Sequence, residues 1–331
     1  MIHQLSRATS YLTTYFVHPI SGELVPRSRA TGFFIRVENA VLLVTNWHVV
    51  TGLNPADPSL ARDPAPHLLK AMVASKDGML TELSLPLYNP ELVPLWEEHP
   101  DGPKVDVAIY PLRLGLEKHF HFVDIASAED DVDIKEMIAK DVFILGYPFS
   151  RDEMKEGFGE DAPFYLPVWK RGTIASEPTV QLGKRRLLID SLSRPGMSGS
   201  PVMIAEDANL LVARSAKDAD ILRRVEAGDF GAVLEMDRKV IAGETVKQFR
   251  FLGVYSGVIG KSRLAEVALG VCWHADTLLE LLAKARGGVM PFHAPEMTKH
   301  LADFLATFPG SGELIRKDIS GQVIEHSVIP K

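Results

Sequence analysis

The stretch Arg194-Pro195-Gly196-Met197-Ser198-Gly199-Ser200-Pro201 sets one serine between two glycines and closes on a proline. A serine hydroxyl is a weak nucleophile, and activating it takes an exposed turn, close backbone approach and N–H groups aimed at developing negative charge. Gly196, Gly199 and Pro201 suit such a turn. By composition alone the same residues also describe a polar surface turn between two strands. Residues far upstream decide between the two.

Thr45-Asn46-Trp47-His48-Val49-Val50 places a histidine at the end of an apolar strand, a position that more often holds a structural imidazole. Lys104-Val105-Asp106-Val107-Ala108-Ile109 sets a carboxylate just inside another apolar strand, where an isolated charge is costly and needs a partner. Acyl transfer asks for these three types together: a serine nucleophile, a neutral imidazole to take its proton, and a buried carboxylate to orient that imidazole. In the order His48, Asp106, Ser198, the first two fall in an N-terminal module and the third in a second one. The site is then expected in the cleft between them.

The strand pattern agrees with two modules. Tyr11 to Val17, Gly32 to Val37 and Ala40 to Thr45 are rich in β-branched and aromatic residues, and Leu68 to Ser75, Leu80 to Tyr88 and Val105 to Leu112 continue the series. A second set comprises Asp141 to Gly146, Val168 to Ser176, Arg186 to Asp190, Pro201 to Ile204 and Phe249 to Val258. Thr51 to His67, with four prolines, reads as a surface loop, and Ser150 to Asp161 as a charged, mobile one. Helices are predicted over Ala219 to Ala227, from an Asp276 cap through Arg286, and over Pro295 to Phe308. The fold class is therefore all-β, two antiparallel six-stranded barrels in tandem followed by a C-terminal helix. The expected divisions are residues 1–120 for the first barrel, 121–138 for a linker, 139–275 for the second barrel with an insertion at 205–250, and 276–331 for a helical segment and tail.

In these motifs the chain resembles the chymotrypsin-fold, trypsin-like serine peptidases, in style the bacterial HtrA-like branch. Gly32-Phe33-Phe34-Ile35, Leu145-Gly146-Tyr147-Pro148, Arg171-Gly172-Thr173-Ile174 and Leu252-Gly253-Val254-Tyr255-Ser256-Gly257 extend the resemblance in order over about residues 11–286. It implies His48 as general base and acid, Asp106 as its orienting partner, Ser198 as nucleophile, and the N–H groups of Gly196 and Ser198 as the oxyanion hole. Ser256 is expected to hydrogen-bond Asp106, and Tyr255 to Val258, including Gly257, to pair with an extended substrate. In zymogen-activated members the residue before the nucleophile is an aspartate that pairs with a new amino terminus. Met197 stands there in this chain, so activation by that route is not expected. Leu192 aligns with the base of the specificity pocket and, with Val258, implies an apolar one.

Composition narrows the partners. A net charge of −7 gives no electrostatic reason to bind nucleic acid or an anionic membrane. No apolar run approaches the roughly 20 residues that span a bilayer, and the first residues, Met1 to Arg7, do not read as a secretory leader. The single cysteine, Cys272, fits a reducing compartment and a cytoplasmic location, and is expected to be a buried structural thiol. His119 and His121 lack further ligands at metal spacing, and Gly257 to Ser262 is similar to a phosphate-binding loop but has Tyr255 where the first glycine is required. The expectation is thus a serine endopeptidase with no cofactor or metal, acting on protein or peptide substrates. The 150–161 loop and the insertion are candidate points for an activating protein partner, and a catalytically silent peptide-binding module is the alternative.

Overall fold

The computed structural model describes residues 2–38, 40–58, 64–112, 118–126, 137–158, 166–177, 185–192, 194–210, 216–227, 229, 231–232, 244–258, 269–288, 298–308, 312–318 and 322–329. Two compact units emerge: Met1–Ile204 with Phe251–Lys331, and Ala205–Arg250.

The larger unit opens with α1 (Gln4–Ala8), β1 (Thr9–Val17), β2 (Leu24–Val37), β3 (Ala40–Thr45) and α2 (Trp47–Thr51). It continues with β4 (Leu68–Ala74), β5 (Leu80–Pro86), β6 (Glu97–Glu98), a 3-10 turn at Gly102–Lys104 and β7 (Ala108–Leu112). Further along the chain, across both units, come β8 (Asp141–Gly146), α3 (Arg151–Phe158), β9 (Val168–Ile174), β10 (Arg186–Asp190), β11 (Pro201–Leu210), α4 (Ala216–Glu226), β12 (Glu244–Val258) and β13 (Leu269–His274). Helix α5 (Ala275–Lys284), β14 (Arg286–Gly287), α6 (Lys299–Ala306), β15 (Gly312–Lys317) and β16 (Val323–Ile329) follow.

The second module is a closed barrel in the order β10-β13-β12-β11-β8-β9. The first is a curled sheet in the order β14-β6-β7-β3-β2-β1-β4-β5-β15-β16. This is the two-barrel plan of the chymotrypsin fold with additions at both edges: β14 pairs with β6, and the β15–β16 hairpin pairs with β5. The C-terminal tail thus completes the N-terminal sheet. Burial explains why the central strands form: every residue of β3 after Ala40 is buried, and Leu12, Phe34, Leu43, Leu69 and Leu83 meet in one apolar core. A separate core inside the barrel contains Val142, Ile144, Leu187, Ile189, Val202, Leu252 and Met197.

Several elements differ from the sequence reading. Strand β2 starts at Leu24 rather than Gly32, because Pro26 falls where the β1–β2 register shifts and so does not interrupt the ladder. Arg151–Phe158, expected as loop, is a helix. Ser150 Oγ accepts from the Glu153 N–H at 3.1 Å and the Glu153 carboxylate accepts from the Ser150 N–H at 2.6 Å, a reciprocal capping box. Helix α5 is capped by His274, whose Nδ1 accepts from the Asp276 N–H, two residues earlier than the expected Asp276 cap. Residues 295–297 of the last predicted helix and 259–262 of the phosphate-loop-like stretch lie outside the described residues, while α6 begins after a Thr298 cap.

In the smaller unit, α4 starts three residues before the helix expected at 219–227 and ends one residue short of it. Ion pairs Lys247–Asp207 at 2.7 Å and Arg250–Glu206 at 3.0 Å tie its two strand segments.

Candidate active site

Helix α2 is a single turn that follows β3, so His48 is held two residues beyond its Asn46 cap rather than on the strand itself. Gly52 closes the turn in the left-handed region, with φ of 73° and its N–H donating to the His48 carbonyl at 2.9 Å. Trp47 anchors the turn beneath, its buried Nε1–H donating to Glu98 at 2.8 Å. The His48 ring therefore has little freedom to move away from its neighbours.

Asp106 lies just before β7, two residues past the 3-10 turn, and is 2% exposed. Its Oδ1 accepts the His48 backbone N–H at 2.9 Å, and its Oδ2 pairs with His48 Nδ1 at 2.8 Å. Ser256 Oγ donates to the same Oδ2, and Asn46 Nδ2 donates to the Asp106 carbonyl at 2.6 Å. A buried carboxylate is tolerable only with such partners. With Nδ1 facing an acceptor, the proton sits on Nδ1 and the lone pair on Nε2. Burial by itself would lower the pKa of His48, but the charge and hydrogen bond of Asp106 outweigh that and the repulsion of Arg27, and the net direction is upward from 6.5.

Ser198 is half-buried in the loop entering β11. Its Oγ lies 3.6 Å from where a Cβ would sit on Gly257, the residue after Ser256. Through Ser256 and Gly257, then, β12 brings the Ser198 hydroxyl to the same neighbourhood as the Asp106–His48 pair. The turn before Ser198 is closed by the Met197 N–H donating to the Arg194 carbonyl at 3.2 Å, with Gly196 at φ of 96°. A positive φ at the third position is the type II signature, and Pro195 suits the second. A Cβ on Gly196 would meet the Tyr147 carbonyl oxygen at 2.2 Å, so no other residue fits there. The N–H groups of Gly196 and Ser198 have no protein acceptor among the described residues.

Residues 30–213, more than half of the chain, match the model of the trypsin-like peptidase domain. The chain belongs to that family. The matched span of the trypsin-like domain contains His48, Asp106, Gly196 and Ser198. No curated protein matches the chain.

Other expected site residues are placed as follows. Tyr255 is buried, and its N–H and C=O are both engaged by the segment after Ser198, through Ser200 and Gly199 at 2.9 and 2.8 Å. Leu192 is 55% exposed, and β12 continues to Val258 opposite Gly270 of β13. Cys272 is fully buried with its thiol pKa pushed up by desolvation. His119 is buried and His121 half-buried, both with pKa values lowered chiefly by burial, and no group of three metal-ligating side chains occurs among the described residues. No helix among the described residues is long and apolar enough to cross a membrane. Sequence reading missed Asn46 and Thr31. Asn46 was detectable as a polar cap immediately before Trp47-His48, whereas Thr31 acts through residues remote in sequence.

Proposed function

We propose that this trypsin-like domain is a serine endopeptidase in which His48, Asp106 and Ser198 form the triad. The observation that carries the reading is the double hold of Asp106 on His48, which presents an unprotonated Nε2 while Ser256 completes the carboxylate's coordination. Nε2 takes the Ser198 proton as Oγ attacks the scissile carbonyl, then delivers it to the departing amine, and water releases the acyl group by the reverse sequence. The oxygen of the tetrahedral intermediate is received by the N–H groups of Gly196 and Ser198, each such donor contributing about 2.7–4 kcal/mol to transition-state stabilisation.

Substrate adds as an extended strand along Ser256, Gly257 and Val258, since the Tyr255 backbone is already engaged by the nucleophile loop. Leu192 and Val258 favour a small or medium apolar residue before the scissile bond. The partner is accordingly a protein or peptide. A fluorophosphonate probe should label the purified protein, and Ser198→Ala should abolish the label. Retained labelling in Ser198→Ala refutes the assignment of the nucleophile. Absent labelling in the wild type, together with tight peptide binding, would instead mark a silent peptide-binding module.

A further inference from the structure

Thr31 sits on β2 in the first sheet, fully buried, and each of its polar groups has a partner in or next to the proposed machinery. Its N–H donates to the Ser198 carbonyl at 2.8 Å. Its Oγ1 donates to the Gly196 carbonyl at 2.7 Å and accepts from the Tyr147 N–H at 3.1 Å. Its own carbonyl accepts from Thr45 Oγ1 at 2.9 Å, on the last residue of the strand that leads to His48. Gly199 packs so closely on the other side that a Cβ there would meet the Thr31 carbonyl oxygen at 2.1 Å. One residue of the first sheet thus holds both ends of the Gly196–Ser198 segment, the Gly196 end through its hydroxyl and the Ser198 end through its backbone N–H, and its carbonyl is tied to the histidine's strand.

The consequence concerns the Arg194–Met197 turn. A type II turn and its type I counterpart differ by reversal of the central peptide, here Pro195–Gly196, which carries the Gly196 N–H to the opposite face. Gly196, lacking a Cβ, is free to adopt either, so something else must select. Met197 carries no charge and its side chain is buried in the barrel core, fixing one end by packing alone. Ser200 Oγ adds a bond to the Met197 carbonyl at 2.7 Å. Neither of these touches Gly196. Thr31 Oγ1 does, and the proton it donates and the one it receives orient it between the Gly196 carbonyl and the Tyr147 N–H.

We propose that Thr31 is a positioning residue whose hydroxyl anchors the Gly196–Met197 peptide, and with it the Gly196 Cα from which the N–H is aimed, and so keeps the oxyanion hole assembled without an ionic latch. The proposal rests on the triad reading above. Removing the hydroxyl leaves a buried carbonyl and a buried N–H unpaired, and the end of the turn that carries Gly196 loosens.

Thr31→Val retains shape, and Thr31→Ser retains the hydroxyl. Thr31→Val should lower kcat by about 10- to 100-fold with KM within about twofold, since oxyanion stabilisation acts in the transition state. Thr31→Ser should stay within about threefold of wild type, because its hydroxyl can make the same two bonds. Amide hydrogen exchange over residues 194–200 should quicken by about tenfold in Thr31→Val and not in Thr31→Ser. Should Thr31→Val not fold, Thr31→Ala carries the same expectations. Equal losses in the Ser and Val variants, or unchanged exchange in Val and Ala, overturn the proposal. Because exchange is read without turnover, it tests the clamp even if Ser198 takes no probe and the triad reading fails.

Discussion

Asp106 holds His48 at two points, its Oδ1 on the backbone N–H at 2.9 Å and its Oδ2 on the ring Nδ1 at 2.8 Å. One carboxylate therefore fixes both the position of the helical turn and the tautomer of the ring it carries. Ser256 approaches Oδ2 as well, which fixes the carboxylate itself.

Asp106→Asn should separate these duties. An amide can still accept one of the two N–H groups, so the turn is expected to stay folded. The ring loses its enforced Nδ1–H tautomer, and kcat should fall by about 10⁴-fold. Steady-state kinetics with circular dichroism as a folding control would check this. A loss below tenfold would remove Asp106 from the triad.

The pH profile follows from the sign of the His48 shift. Its pKa is raised above 6.5 because Asp106 outweighs the opposing effects of burial and Arg27. Activity needs the neutral ring, so kcat/KM should drop on the acid side with a midpoint above 6.5. The same shift stabilises the fold most below about pH 6.5 and fades as pH rises through the higher folded value. Activity and this contribution to stability thus lie on opposite sides of one titration. A profile flat from pH 5 to 8 would rule out His48 as the base.

His67 works in the other direction. It is 5% exposed, its Nδ1 accepts the Val17 N–H at 2.9 Å, and burial lowers its pKa to about 4. The unfolded chain binds a proton there near pH 6.5 while the folded one does not, so stability should decline as pH falls from about 6.5 to about 4. At about 1.4 kcal/mol per pKa unit the decline is on the order of 3 kcal/mol. Denaturant melts of wild type and His67→Gln across that window should converge at the acid end. A constant gap would exclude His67 as the source.

How much of this was legible in the sequence depends on the range over which each group acts. The two-barrel plan was readable because its strands carry runs of β-branched and aromatic residues, and the triad types stood beside such runs. Ser256 was legible only through family resemblance, since Asp106 lies 150 positions away. Thr31 gave no local signal, because the partners of its hydroxyl are 165 and 116 positions distant. The capping box at Ser150 and Glu153 was present in the sequence, yet the charge and glycines around it masked a helix. Strand β16 was unreadable for a different reason: both faces of Val323 to Ile329 are partly exposed, so apolar residues do not alternate with polar ones.

The hairpin of β15 and β16 has a bearing on when the first sheet is complete. Glu313 to Lys317 pair with Leu80 to Ser84, so the outer edge of β5 finds its neighbour only in the last part of the chain. Domains usually fold in the order in which they are synthesised. Here the sheet that carries His48, although encoded first, acquires its full complement of strands after those of the barrel that Ser198 leads into. The outer edge of β5 is therefore covered only once residues 312–317 are in place.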